Sequence, residues 1–437
     1  MRKISKISLV AAVAVAGFST ANAQPLEEAI KNVDVSGSVV YRYDNSDNSE
    51  KDDSRVDRNR YKVGLNLSSK VNDYVKFNSR FIVGGADSGW ATTGAKRDNG
   101  DADGNVDVTL SNAYFALTAI PNTVVNIGKQ GLTTPYTVAV DQNGNEQNGT
   151  GILALTTVGP VTGGLGYFNN QNFNQLTDIN STKGLKSTPN TSFNSVTGPK
   201  NPVTGKYPIG QFVTENELFD SGSDIYVATL QGDLDFVKLE AWYMGLQDTL
   251  NSYTLAATSK IDLAENAKIG LEARYVNLKL DSDFIDDTQE KDNSMFRFAV
   301  DGKFSIVNAR LAYTNTGKKG GLTAVDQDAK NTSLGWNISS NGVANADYYQ
   351  AALGADILDN LNFTVHYGNL KSKETDNNVF TGLQNIKAEE VYGQLTYKMS
   401  KNLTTYLRYG NYEEKVNSTG LKTVDQNMGR LQVAYTF

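Results

Sequence analysis

The sequence predicts an all-β fold: a transmembrane antiparallel barrel of eighteen strands, with sixteen as the alternative count, having short turns at one rim and long loops at the other. Three observations predict it. Apolar and polar residues alternate in segments of about ten residues from one end of the chain to the other, the period of a strand with two different faces. The connections between these segments alternate between short and long, an asymmetry that a soluble β-sandwich does not require. The composition suits strands: 39 Gly, 22 Tyr and 17 Phe, only 8 Pro, and no Cys.

The first 23 residues stand apart. Arg2, Lys3 and Lys6 form a positive start, Ile7 to Phe18 is apolar, and Ala21-Asn22-Ala23 is an A-x-A cleavage site. This is the three-part pattern of an export signal cleaved after Ala23, which leaves residues 24–437 as a single barrel domain. Its removal takes away three positive charges and shifts the formal net charge from −7 to −10. An acidic mature chain argues against a nucleic-acid partner. After residue 23 no run of about eighteen apolar residues occurs, so no transmembrane helix is expected. The negative mean hydropathy does not oppose a membrane location, because each strand averages a lipid face with a wet face.

The strands are expected, in order, at Val33–Tyr43, Asn59–Ser69, Val75–Gly84, Val106–Thr118, Thr123–Gln130, Thr150–Val158, Thr162–Asn169, Ser223–Gln231 and Phe236–Gln247. The other nine are Asn251–Lys260, Lys268–Lys279, Met295–Lys303, Ser305–Tyr313, Ala346–Asp356, Leu361–Leu370, Lys387–Met399, Leu403–Tyr412 and Met428–Phe437. Ten residues rise roughly 33 Å, and a tilt of about 45° reduces this to roughly 23 Å, close to the height of an outer-membrane apolar band. Two connections blur the short–long rule: Gln247–Asn251 is short where a long loop is due, and Ile261–Ala267 is long for a tight turn.

Parity assigns the faces. In the first strand Val33, Val35, Val39, Tyr41 and Tyr43 share one side, and Asp34, Ser36, Ser38 and Arg42 the other. Arg60 and Lys62, then Arg80, continue the polar side, and Glu272, Arg274, Arg297, Arg310, Arg408 and Arg430 hold that parity in later strands. An Arg or Lys facing lipid near the midplane costs about 2–4 kcal/mol, so the charged face must look inward. So many inward charges predict a water-filled lumen, because an unpaired buried charge is very costly.

The final strand alternates Leu431, Val433, Tyr435 and Phe437 with Arg430, Gln432, Ala434 and Thr436. Its aromatic end resembles the C-terminal membrane-insertion signal of Gram-negative outer-membrane barrels, carried here by Tyr435 and Phe437. The segment from Pro25 to Gly37, followed by Tyr41-Arg42-Tyr43-Asp44, resembles the mature start of the Campylobacter-type major outer membrane protein porins. Gly128-Lys129-Gln130 and Arg430-Leu431-Gln432 are similar to further motifs of that family. The resemblance implies an outer-membrane homotrimer in contact with lipid and lipopolysaccharide. It would pass small hydrophilic solutes and ions with a mild preference for cations, and carry a calcium ion near its constriction. No other cofactor is expected.

The third outer loop, Gly131–Gly149, is the expected constriction, with Asp141 and Glu146 as its acids. Placed opposite Arg42, Arg60, Lys62 and Arg80, they would set a transverse field across the pore. Asn99 to Gly104 is similar to part of an EF-hand loop, but it lacks the bidentate Glu and reads as an acidic surface loop. The one histidine, His366, has no nucleophile motif beside it and reads as a lumen residue, so an enzyme is not expected. The long polar segment Asn170–Gly222 could cover the mouth, a neighbouring protomer or an adhesive surface. A structural or adhesive barrel whose loops bind host or envelope partners is therefore the alternative function.

Overall fold

A computed structural model describes residues 33–50, 55–85, 88–93, 106–173, 195–196, 212–213, 222–282, 290–375 and 384–437. The export signal, the 99–104 motif and most of the 170–222 segment lie outside these residues. The barrel strands are β1 (Val33–Asn48), β2 (Val56–Asn72), β3 (Val75–Gly84), β4 (Asp107–Leu117), β5 (Thr123–Gly131) and β6 (Asn148–Val158). They continue as β7 (Val161–Gln171), β8 (Ile225–Leu234), β9 (Val237–Leu246), β10 (Leu250–Ala264), β11 (Ala267–Leu280) and β12 (Asp292–Phe304). The last six are β13 (Val307–Thr316), β14 (Ala346–Leu358), β15 (Leu361–Ser372), β16 (Ile386–Lys398), β17 (Leu403–Val416) and β18 (Lys422–Thr436). Each pairs antiparallel with the next, and β18 returns to β1, so the eighteen-stranded sheet has no edge.

Two backbone hydrogen bonds finish the seam: Gly37 N donates to Phe437 O at 2.9 Å, and Phe437 N donates to Gly37 O at 3.1 Å. At one rim the connections are tight. Asn122, Asp235 and Ser305 take positive φ there, as turn residues able to enter the left-handed region do. Within the other rim a short strand, Ala91–Thr93, pairs with the outer end of β2. Several strands run beyond their expected ends: β1 reaches Asn48, β2 begins at Val56, and β18 begins at Lys422. Their outer ends alternate polar with polar, so the hydrophobic period fades while the ladder continues. The turn after β10 is tight after all, because β10 runs to Ala264 and β11 starts at Ala267. Ser305, expected to start β13, sits in the turn before it.

The outer face meets the membrane as parity requires. Val35, Leu165 and Leu255 are 55%, 70% and 60% exposed, whereas Arg42 on the opposite parity is 6% exposed. Tyrosines face each other across strands near the long-loop rim: Tyr167 with Tyr226, Tyr243 with Tyr253, and Tyr313 with Tyr349, at 5.0–5.5 Å between ring centroids. Their hydroxyls donate to Asp224, Asn251 and Asp347, so each pair holds a ring in lipid and a polar tip at the boundary.

Candidate functional site: two loops folded into the barrel

The basic residues of β1 to β3 meet the first inward loop, residues 132–147. Lys62 donates to Glu146 Oε1 at 2.9 Å and also to the carbonyl of Gly144. Arg80 grips the same carboxylate through Nε at 2.8 Å and Nη2 at 3.1 Å, and Ser111 adds a bond at 2.9 Å. Arg42 donates to the carbonyl of Gln142 at 2.9 Å and lies over the ring of Trp90. Gly144 has φ +83°, and a Cβ there would strike the Trp90 ring, so only glycine turns the loop at this point.

This arrangement differs from acids set across a gap from the ladder. Glu146 sits on the ladder and neutralises it, because a buried carboxylate is tolerable only when paired and fully hydrogen-bonded. Asp141 is turned into its own loop, where its oxygens accept from the Asn145 backbone at 2.7 Å and the Asn145 side chain at 2.6 Å. Arg60 takes Asp44, which it shares with Arg430, both at 2.5 Å.

The tip of the first loop crosses the lumen. Tyr136 is fully buried, and its hydroxyl accepts from Thr254 of β10 at 3.0 Å. There it touches a second inward loop, residues 317–345, which sequence parity left on the surface. Val325 N donates to Tyr136 O, and Asn331 N to Pro135 O, each at 2.9 Å. Gln142 N donates to Asp328 at 2.6 Å. The second loop carries Leu322, Ala324, Val325, Trp336, Ile338, Val343 and Ala344, all buried. These are the side chains that the inward turn shelters from water. Where the two loops dock, the inward face of the wall is apolar too, with Ile225, Val227, Met244, Leu246 and Leu250 packed beside Tyr136. The outer part of the lumen on this side is therefore a packed core rather than water, since the loops remove the solvent that a polar wall would need.

Charged wall residues hold the second loop. Arg297 donates to the carbonyls of Thr332 and Lys330, and to Glu272 at 2.5 Å. Arg274 reaches Asn331 at 3.2 Å and Glu272 at 3.2 Å, and Arg310 joins Asp301 at 2.6 Å and Glu272 at 3.5 Å. The four residues read from parity, Glu272, Arg274, Arg297 and Arg310, thus form one network under this loop. Glu390, which sequence reasoning missed, is its anchor. Its carboxylate accepts the backbone N–H groups of Trp336, Asn337 and Ile338 at 2.9, 2.8 and 3.3 Å. Trp336 in turn lies against Arg408 and Tyr392, and His366 stacks on Tyr392 at 4.5 Å. Glu390→Ala is expected to leave three buried donors without an acceptor, at about 1–3 kcal/mol for each unsatisfied group. The measurement is limited proteolysis of the detergent-solubilised barrel: new cleavage within 317–345 is expected, with the barrel intact.

Across all its residues, 1–437, the chain matches the family model of the Campylobacter major outer membrane protein. It belongs to that family. No curated protein sequence matches it. Among solved structures it is similar to OpdL of Pseudomonas aeruginosa, with TM-score 0.67 and 13% identity over 93% of this chain and 99% of the other. It is also similar to OccAB3 of Acinetobacter baumannii, with TM-score 0.66 and 14% identity over 93% and 99%. The outer membrane protein OprD of P. aeruginosa gives TM-score 0.64 and 15% identity over 92% and 93%. At such identities these structures speak for the fold alone. Family and architecture together make the chain an outer-membrane porin, a channel through a strand-built wall. Among the described residues no three Asp, Glu or His side chains gather as a metal site would need. Glu146 is engaged by Lys62 and Arg80, and Asp141 by Asn145.

Proposed function

We propose that the channel passes small hydrophilic solutes and ions by passive diffusion, with a modest preference for cations, as a homotrimer. The observation that carries the passive reading is the pair of inward loops bonded to opposite walls and to each other at Tyr136–Val325 and Pro135–Asn331. Such a fixed narrowing sieves by size and charge and needs no energy input or catalytic step. The preference for cations rests on the family resemblance and on the formal net charge, −7 for the whole sequence and −10 without Arg2, Lys3 and Lys6. The arginines of the wall act against it, so its expected size is small. Arg42, Arg60, Lys62, Arg80, Glu146, Glu272, Arg274, Arg297, Arg310 and Arg408 are the side chains assigned to line or brace the path, and Asp141 shapes its loop.

The test is planar-bilayer recording of purified, unheated protein under a potassium chloride gradient. Stepwise openings with a reversal potential on the potassium side are expected. A reversal potential on the chloride side would overturn the cation preference. Complete electrical silence of inserted protein would favour the structural or adhesive barrel. Mass measurement in detergent checks the trimer.

A further inference from the structure

We propose that Arg408 and Arg430, with Arg42 beside them, form a binding subsite for small dicarboxylates on the lumen wall. The inference rests on the channel reading and names a solute class that would pause within it. Arg408 and Arg430 are direct cross-strand partners on the inward face of β17 and β18. Like charges placed opposite each other destabilise a sheet unless something compensates them. Elsewhere on this wall the compensation is built in: Arg274 and Arg297 are also direct partners, and Glu272 binds both. At Arg408 and Arg430 it is incomplete. Among the described residues Asp44 is the single carboxylate paired here, and it is divided between Arg430 and Arg60. Arg408 has no carboxylate partner among the described residues; its Nε and Nη2 both donate to the neutral Gln394 Oε1, at 2.8 and 2.6 Å. Glu390 lies near but spends its oxygens on the three backbone amides.

Four guanidiniums, Arg42, Arg60, Arg408 and Arg430, therefore share one paired carboxylate. They form a continuous patch. Arg42 Nε and the Tyr406 hydroxyl both donate to Gln432 Oε1, at 2.8 and 3.1 Å, and Arg408 lies over the Tyr406 ring. Arg408 and Arg430 both lie against Trp336, which fixes their planes. Arg42 Nη1 is buried without a partner, on a side chain only 6% exposed. Nη1 of Arg408 and both Nη atoms of Arg430 donate to nothing among the described residues, and none of the three is sealed from solvent. They present free donors to the lumen. A carboxylate matches such a fork in shape and charge, and a second carboxylate on the same small molecule uses the surplus that one would leave.

The experiment is single-channel recording in potassium chloride, first without and then with succinate, using neutral succinamide as the size control. Openings in potassium chloride alone establish the channel, so failure of that reading is seen before succinate is added. Saturable, succinate-dependent block is expected, with none from succinamide. In R408Q, and more so in R408Q/R430Q, the half-blocking concentration is expected to rise at least about tenfold, the loss of a charge-assisted hydrogen bond. R430K, which keeps a charge beside Asp44 but loses the fork, is expected to fall between. K303Q, at a lysine paired with Asp356 outside the patch, is expected to block as the parent does. Block that does not saturate, equal block by succinamide, or an unchanged half-blocking concentration in R408Q would overturn the assignment. R408Q removes only side-chain contacts to Gln394 and the aromatic rings, so it keeps the test decisive if the double variant does not insert.

Discussion

Glu146→Ala is expected to turn a quiet channel into a noisy one with larger and more variable openings. The carboxylate is 1% exposed and binds Lys62 and Arg80. Its removal strands two cations in a site built around it. Breaking a buried pair in this way costs about 3–5 kcal/mol, because the remaining charge loses its partner without regaining water. The 132–147 loop also loses its ties to Arg80 of β3 and Ser111 of β4, and keeps on β2 only the bond from Lys62 to the Gly144 carbonyl. The barrel ladder is untouched, so the protein should still insert. With one negative charge gone and two positive ones released, the reversal potential is expected to move toward chloride. Asp141→Asn, which changes a residue bonded within its own loop, is expected to show a much smaller shift. Bilayer recordings that show unaltered noise and reversal potential for Glu146→Ala would mean that this loop does not set the constriction.

Gly37→Val is expected to prevent closure of the barrel. A Cβ at Gly37 would lie 2.4 Å from the Gly64 carbonyl oxygen and 2.7 Å from the Phe437 ring. One obstacle is backbone and cannot swing aside. The other belongs to the residue whose main chain makes both final seam bonds with Gly37. Overpacking costs about 1–3 kcal/mol in an ordinary core. Here the strain also opens an edge, leaving backbone groups without partners in an apolar medium. The readout is the electrophoretic shift between unheated and boiled samples: the compact unheated band is expected to be lost. Phe437→Ala, which removes the ring and keeps the backbone, should retain it when both variants are refolded into detergent, where no insertion signal is read. A Gly37→Val protein that folds and conducts normally would show that the seam tolerates a side chain.

The barrel was legible in the sequence because lipid enforces parity. A charge facing outward is so costly that alternation survives in almost every strand, and eighteen segments could be read in order. The ends of strands were less legible, since outside the apolar band both faces meet water and the period disappears, as beyond Tyr43 in β1. The 132–147 loop was identifiable by position and by Glu146, but not its direct pairing with Lys62 and Arg80, because parity gives side and not depth. The 317–345 segment was legible as part of a long outer connection, but its turn into the barrel was not. Its Trp336, Ile338 and Val343 are apolar without strand or helix periodicity, so no alternation marks them as buried. Glu390 was missed because its partners are backbone amides of residues 52 to 54 positions away in the chain, a contact that side-chain spacing does not encode.

The tie between the two inward loops divides the outer connections into two kinds. The two segments that fold inward are sheltered within the wall and braced by arginines, tyrosine and backbone bonds. Of the other connections, Trp90 and Asn172 at their described ends still touch the first loop, Trp90 at Gly144 and Asn172 at the carbonyl of Glu146. An outer stretch that keeps clear of these ties can therefore be rewritten without moving the two segments that narrow the bore.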